Sequence, residues 1–204
     1  FTRQLACGVY DIDRVECEFK SLMTNTAPTC AYRGAGRPEA TAAIERAVDL
    51  FAAEIGMDPA EVRRINFIPS HAFPFTTATG TLYDSGDYEK ALDAALEASD
   101  YKGLRAEQEK RRQNKSTKQI GIGVATYVEI TGFGGSEYGH VSLRPDGTVL
   151  ATTGATPIGT GHFTTWAMIV ADKLGIPMEK IELFHGDTDI VPTGETTGGS
   201  RSVQ

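Results

Sequence analysis

Three glycine-bearing segments could bring backbone and side-chain donors up to an anion. They are Arg33-Gly34-Ala35-Gly36, Gly159-Thr160-Gly161-His162 and Gly198-Gly199-Ser200-Arg201-Ser202. In the second, Gly161-His162 directly precedes a predicted helix, so free N–H groups can point at a negative group. In the third, two glycines, two hydroxyls and an arginine supply several donors, and the hydroxyls are the only acceptors. That inventory suits a phosphate or an extended, heteroatom-rich cofactor. Taken alone, each segment is equally an ordinary turn.

Common motifs do not account for them. Gly154-Ala155-Thr156-Pro157-Ile158-Gly159 has the spacing of an ATPase loop, but Thr160 stands where the lysine belongs. Gly132-Phe133-Gly134 has Glu137 at the third glycine position, and Gly121-Ile122-Gly123 has Thr126, so neither is a dinucleotide fingerprint. No serine–histidine–acid signature and no HExxH occurs. Cys7, Cys17 and Cys30 form no CxxC and read as reduced thiols in or near a core, with no metal site. His185-Gly186-Asp187-Thr188-Asp189 is acidic but lacks the EF-hand pattern.

The elements that must position these segments are legible. Residues 1–30 read as loop and strand. Pro38 and Glu39 suit the first turn of a helix whose apolar stripe is Ala40, Ile44, Ala47, Val48, Leu50, Phe51 and Ile55, with Gly56 placed to end it. Asp58-Pro59 opens a short second helix, with Glu61 at the capping-box position. Residues 66–85 read as loop, and Asp87-Tyr88 starts a third helix with Ala91, Leu92, Ala95 and Leu96 inward. The basic stretch from Lys102 to Lys118 is broken by Glu107 and Glu109, and reads as a solvated helix and linker. Ile120, Ile122, Val124 and Val128 fit a strand. Pro145-Asp146-Gly147 is a hairpin turn between strands over 138–144 and 148–153. A helix over 164–174, stopped by Gly175, precedes a last strand over 181–184.

The balance of the 204 residues narrows the class. A hydrophobic fraction of 40% supports a buried core, and the net charge of −7 argues against a general nucleic-acid binder. No apolar run is long enough to cross a bilayer. The 22 glycines are concentrated after residue 118, so the two halves are built differently. The pattern predicts an α+β protein of two units, residues 1–112 and 113–204. The chain begins at Phe1 and is expected to be processed or to be a piece of a longer polypeptide.

Thr24-Asn25-Thr26-Ala27-Pro28, followed by Ala31-Tyr32-Arg33-Gly34-Ala35-Gly36-Arg37-Pro38-Glu39-Ala40, resembles the active-site loop of the molybdenum hydroxylases. These are the large subunits of the xanthine dehydrogenase and aldehyde oxidase family, and the likeness is to form II aerobic carbon monoxide dehydrogenase large chains. Residues 154–162, the helix after them, residues 185–189 and Gly199-Ser200-Arg201-Ser202 follow the family's order. The resemblance implies two molybdopterin-binding α/β units, both incomplete, in an internal fragment of an oxidoreductase. It implies a molybdenum cofactor in its cytosine dinucleotide form, with electrons leaving through 2Fe–2S clusters and FAD on partner chains. The implied partners are an iron–sulfur small subunit and an FAD-binding medium subunit, in a cytoplasmic dimer of heterotrimers acting on a small molecule.

On this resemblance Tyr32, Arg33, Gly34, Ala35 and Gly36 form the active-site loop. Arg33, Gly159, Thr160, Gly161, His162, Gly199, Ser200, Arg201 and Ser202 bind the cofactor. The copper-binding cysteine that follows or lies close to the loop arginine in true carbon monoxide dehydrogenases is replaced by Gly34, and Cys30 does not match it. Ala35 and Gly36 leave room for a larger substrate, an aldehyde or N-heteroaromatic compound. Thr160 stands where relatives carry glutamine. The family's basic glutamate matches no position here, so no catalytic residue is assigned. The other readings are a non-catalytic cofactor-binding or assembly module and a glycine-rich interaction domain.

Overall fold

The computed structural model describes residues 1–28, 32–132, 135–195 and 197–203. Its α+β chain forms two compact units, Phe1–Glu129 and Ile130–Gln204. This division by packing falls later than the 112/113 boundary expected between family domains. Its cause is residues 120–128, where Ile122, Val124 and Val128 pack on the core of the first unit.

The first unit is mainly helical. Helix α1 spans Arg37–Ile55 and ends at Gly56, which is left-handed. Helix α2 spans Pro59–Asn66, and the Asp58 carboxylate accepts the Ala60 N–H at 2.8 Å as its cap. A two-residue antiparallel pair follows, β1 (Phe75–Thr76) with β2 (Leu82–Tyr83). Helices α3 (Tyr88–Ala98) and α4 (Tyr101–Gln113) are capped by Asp87 and Asp100. The basic stretch lies on α4 and the turn after it, where Arg111 pairs with Glu107 at 2.7 Å one turn earlier.

The expected stripe of α1 is only half inward. Ala40, Ile44 and Val48 pack on the core, whereas Ala47, Leu50, Phe51 and Ile55 are exposed, and Ala52, outside the expected stripe, is buried. The stripe spans more of the helix circumference than one core can cover. Glu45 lies inside instead. Its carboxylate accepts from Arg63 Nε at 2.8 Å, from the Thr126 backbone N–H at 2.9 Å and from the Tyr10 hydroxyl. Arg63 Nη2 also reaches Asp49 at 2.9 Å. All three Arg63 nitrogens thereby have an acceptor, Nη1 donating to the Pro59 carbonyl at 3.0 Å, which a buried charge requires. Around it Val9, Tyr10, Ala60, Phe67, Leu92 and Tyr101 form the core, with Tyr10 and Phe67 stacked at 5.9 Å.

Two expected strands differ. Among the described residues of 1–30 only Tyr10 makes a bridge, to Phe67. Residues 120–128 alternate half-buried and exposed side chains but belong to no ladder. The alternation is that of a strand, and no strand of the described residues lies beside it. Cys7 is buried, Cys17 is exposed rather than part of a core, and Cys30 lies outside the described residues.

The second unit is a small sheet with one helix. Strands β3 (Gly139–Leu143) and β4 (Val149–Thr153) form the expected hairpin. In its turn Asp146 Oδ1 accepts from the Thr148 N–H at 2.9 Å and hydroxyl at 2.7 Å. Helix α5 (His162–Leu174) ends at Gly175 and returns the chain to β5 (Ile181–His185), which runs parallel to β4. The crossover needs a helix because parallel neighbours cannot be joined by a tight turn. Val149 and Ala151 of β4 and Ala167 of α5 are buried in this unit.

Candidate functional site

In the first unit residues 33–36 form a tight turn that leads into α1. The Ala35 N–H donates to the Tyr32 carbonyl at 2.6 Å and the Arg37 N–H to the Gly34 carbonyl at 3.0 Å. Gly34, Ala35 and Gly36 all have positive φ, at 92°, 47° and 95°. A β-carbon on Gly34 would sit 2.6 Å from Pro38 Cγ and closer still to Cδ, and one on Gly36 would overlap the Thr2 hydroxyl. Glycine is therefore demanded by both backbone and space. Ala35 tolerates a conformation that costs most residues about 1–2 kcal/mol.

Two arginines flank this turn and differ in every respect. Arg37 is buried; its Nε donates to the Gly34 carbonyl at 2.8 Å, its Nη1 pairs with Glu129, and its guanidinium lies 5.0 Å from the Phe1 ring centroid. Arg33 is exposed and makes no hydrogen bond or ion pair with other described residues. Tyr32 beside it is 86% exposed. Arg37 is thus the structural cation of the turn, and Arg33 the cation available to a ligand. Sequence reading singled out Arg33 and passed over Arg37, although both stand in the same short motif.

In the second unit residues 159–162 lead into α5, which has no side-chain cap at its start. Gly159 and Gly161 are left-handed, at φ 87° and 76°, and a β-carbon on either would meet nothing within 4 Å. The Thr160 hydroxyl lies 3.2 Å from His162 Nδ1. An uncapped helix start facing open space keeps N–H donors for an anion.

The segment 199–202 is fixed at several points. Ser200 is left-handed at φ 54°, and its carbonyl accepts from the Gly132 N–H at 2.9 Å. Arg201 is only 11% exposed and pairs with Glu195 at 2.9 Å and Glu137 at 3.6 Å. Its guanidinium therefore anchors the loop to neighbouring carboxylates. The Trp166 indole N–H donates to the Ser202 carbonyl at 2.7 Å, and its ring stacks on His162 at 5.0 Å. The Trp166 side chain thus touches both residues 159–162 and residues 199–202. Sequence reading missed Trp166, whose signal was its place one helical turn after His162.

The donors present fit a phosphate-bearing cofactor. They are the open backbone N–H groups at the start of α5 and the hydroxyls of Thr160, Ser200 and Ser202, in a segment whose glycines leave space for close approach. Among the described residues no group of three or more metal-ligating side chains gathers, and no helix is long and apolar enough to cross a membrane.

The comparisons with known proteins agree with this chemistry. Family models described as molybdopterin cofactor-binding domains match residues 2–67 and 94–204. The carbon monoxide dehydrogenase large chain of Hydrogenophaga pseudoflava is 42% identical over 98% of this chain and 26% of its own. The nicotine 6-hydroxylase large subunit of Paenarthrobacter nicotinovorans is 34% identical over 96% of this chain and 25% of its own. The crystal structure of quinoline 2-oxidoreductase from Pseudomonas putida 86 superposes with a TM-score of 0.91 at 30% identity, over 99% of this chain and 27% of that one. The chain belongs to the molybdopterin cofactor-binding domain family, among relatives of the carbon monoxide dehydrogenase, aldehyde oxidase and xanthine dehydrogenase kind. It spans about a quarter of the length of the relatives it matches.

Proposed function

We propose that these residues form part of the molybdenum-cofactor-binding subunit of an oxidoreductase that hydroxylates an aldehyde or N-heteroaromatic carbon. The observation that carries this reading is the turn at 33–36, whose glycines present backbone and whose exposed arginine lacks a partner among the described residues. When bound, the molybdenum cofactor supplies the two-electron redox chemistry and the oxygen derived from water. The chain's own residues bind and orient. Arg33 offers a fixed charge for charge-assisted hydrogen bonds to an anionic centre. Residues 159–162 offer N–H groups to phosphate, and Ser200 and Ser202 offer hydroxyl donors. Arg201 contributes through the loop it anchors.

The division of these roles follows residues 1–112 and 113–204 as portions of a first and a second molybdopterin-binding domain. The cytosine dinucleotide form, FAD and 2Fe–2S clusters on medium and small partner subunits, and a cytoplasmic dimer of heterotrimers belong to the same proposal. Copper chemistry does not, because position 34 has no thiolate and no room for one.

The test uses the full-length protein with its partner subunits. Turnover of an N-heteroaromatic compound or an aldehyde, with molybdenum present and copper absent, is expected. Arg33→Ala is expected to lower turnover by about 10²-fold, the order found when a charge-stabilising donor is removed. Stoichiometric copper together with carbon monoxide oxidation would overturn the assignment.

A further inference from the structure

Trp166 is the point where the two ligand-facing segments of the second unit meet. It stands on α5 one turn after His162. Its ring lies 5.0 Å from the His162 ring with 30° between the planes, and its Nε1 donates to the Ser202 carbonyl at 2.7 Å. The first contact fixes the end of residues 159–162, and the second fixes the end of residues 199–202. The latter segment is also tied through Gly132 and through Arg201, but those ties run to residues 132, 137 and 195 and not to the helix. The indole is thus the brace between helix start and loop. A carbonyl that is a loop's own backbone cannot be moved without moving the loop.

We propose that Trp166 is a positioning residue that sets the spacing of residues 159–162 and 199–202, and thereby the retention of a pterin nucleotide by the second unit. This rests on the reading that those segments hold the cofactor. A ligand gripped from two sides binds tightly when both sides are already placed, because ordering one of them on binding subtracts from affinity. Trp166 touches neither reacting atoms nor, on this reading, the cofactor itself.

The experiment compares cofactor-loaded full-length protein with its Trp166→Phe variant, which keeps a ring beside His162 and removes the donor to Ser202. The first readout is the rate at which pterin and molybdenum leave the protein during dialysis. The second is the melting temperature of both proteins after the cofactor has been stripped. Loss of one hydrogen bond is expected to speed release by about fivefold, with the stripped melting temperatures equal. Trp166→His restores a ring N–H and is expected to recover part of the slow release. Equal release rates for wild type and Trp166→Phe would overturn the proposal. So would a fall in the stripped melting temperature large enough to account for the faster release. Should Trp166→Phe fail to fold, Trp166→Tyr likewise keeps a ring beside His162 and lacks the indole N–H to Ser202, and release at the wild-type rate there overturns it equally. A wild-type protein that holds no pterin would instead refute the cofactor reading beneath it.

Discussion

The Nε of Arg37 donates to the carbonyl of Gly34 at 2.8 Å, so the first residue of α1 grips the turn that precedes it. The same guanidinium pairs with Glu129. A buried cation thereby joins the glycine turn to the last residue of the first unit. The turn is held from behind, and Arg33 is left exposed in front.

Arg37→Ala is expected to lower turnover sharply while pterin content stays near that of wild type. A displacement of about 1 Å near a reacting centre can cost 10²-fold in rate. Arg37→Lys keeps charge for Glu129 but loses the planar fork, and is expected to recover only part of the activity. Steady-state kinetics normalised to molybdenum checks both; full activity in Arg37→Ala would remove the turn-holding role.

Gly34→Ala places a methyl group against the Pro38 ring at a φ of 92°. The backbone strain alone is about 1–3 kcal/mol. A lower melting temperature and loss of activity are expected. Gly34→Cys is expected to fail in the same way and to take up no stoichiometric copper, which metal analysis of the purified variant reads directly.

The buried Glu45–Arg63 pair ties α1 to α2. Arg63→Met leaves the Glu45 carboxylate buried beside Tyr10 and Thr126 without its cation. Removing one partner of such a pair costs about 3–5 kcal/mol. Replacing both residues with apolar ones is not expected to rescue stability here, since the Thr126 N–H would lose its Glu45 acceptor and the Asp49 carboxylate its Arg63 donor. Chemical denaturation of the two variants beside wild type measures this, and a stable double variant would count against the network.

Burial, with the Asp58 carboxylate adding to it, pushes the Tyr101 phenol from 10.0 up to about 12. Burial raises Tyr10 and Tyr83 as well. Above pH 10 the unfolded chain has released these protons and the folded one has not. The unfolded state then binds fewer protons, so stability falls as pH rises. The contribution of Tyr101 is expected to be complete below pH 10 and lost as pH passes about 12. Denaturation across that range, with Tyr101→Phe as control, checks it; a Tyr101→Phe protein that loses stability just as steeply would assign the effect to Tyr10 and Tyr83.

Helices and caps were legible because their signals are local. Asp58, Asp87, Gly56 and Gly175 act within one turn of their own position. The hairpin at Asp146-Gly147 is equally local. The AYRGAGR run identified the glycine turn and the family for the same reason. What sequence could not give was pairing across distance. Glu45 is outside the apolar stripe of its helix, and Arg63 and Tyr10, which meet it inside the core, come from elsewhere in the chain. Arg201 read as a ligand donor until Glu137 and Glu195 surrounded it. Trp166 meets the Ser202 carbonyl across 36 residues of sequence.

Residues 120–128 carry one more consequence. They have the side-chain alternation of a strand, and they make no backbone–backbone hydrogen bond among the described residues. Side chains take two of their backbone groups, Glu45 the Thr126 N–H and Gln108 the Ile120 carbonyl, and the other amides and carbonyls form an edge with Ile122, Val124 and Val128 behind it. Produced on its own, this stretch of polypeptide would be prone to self-association through that edge.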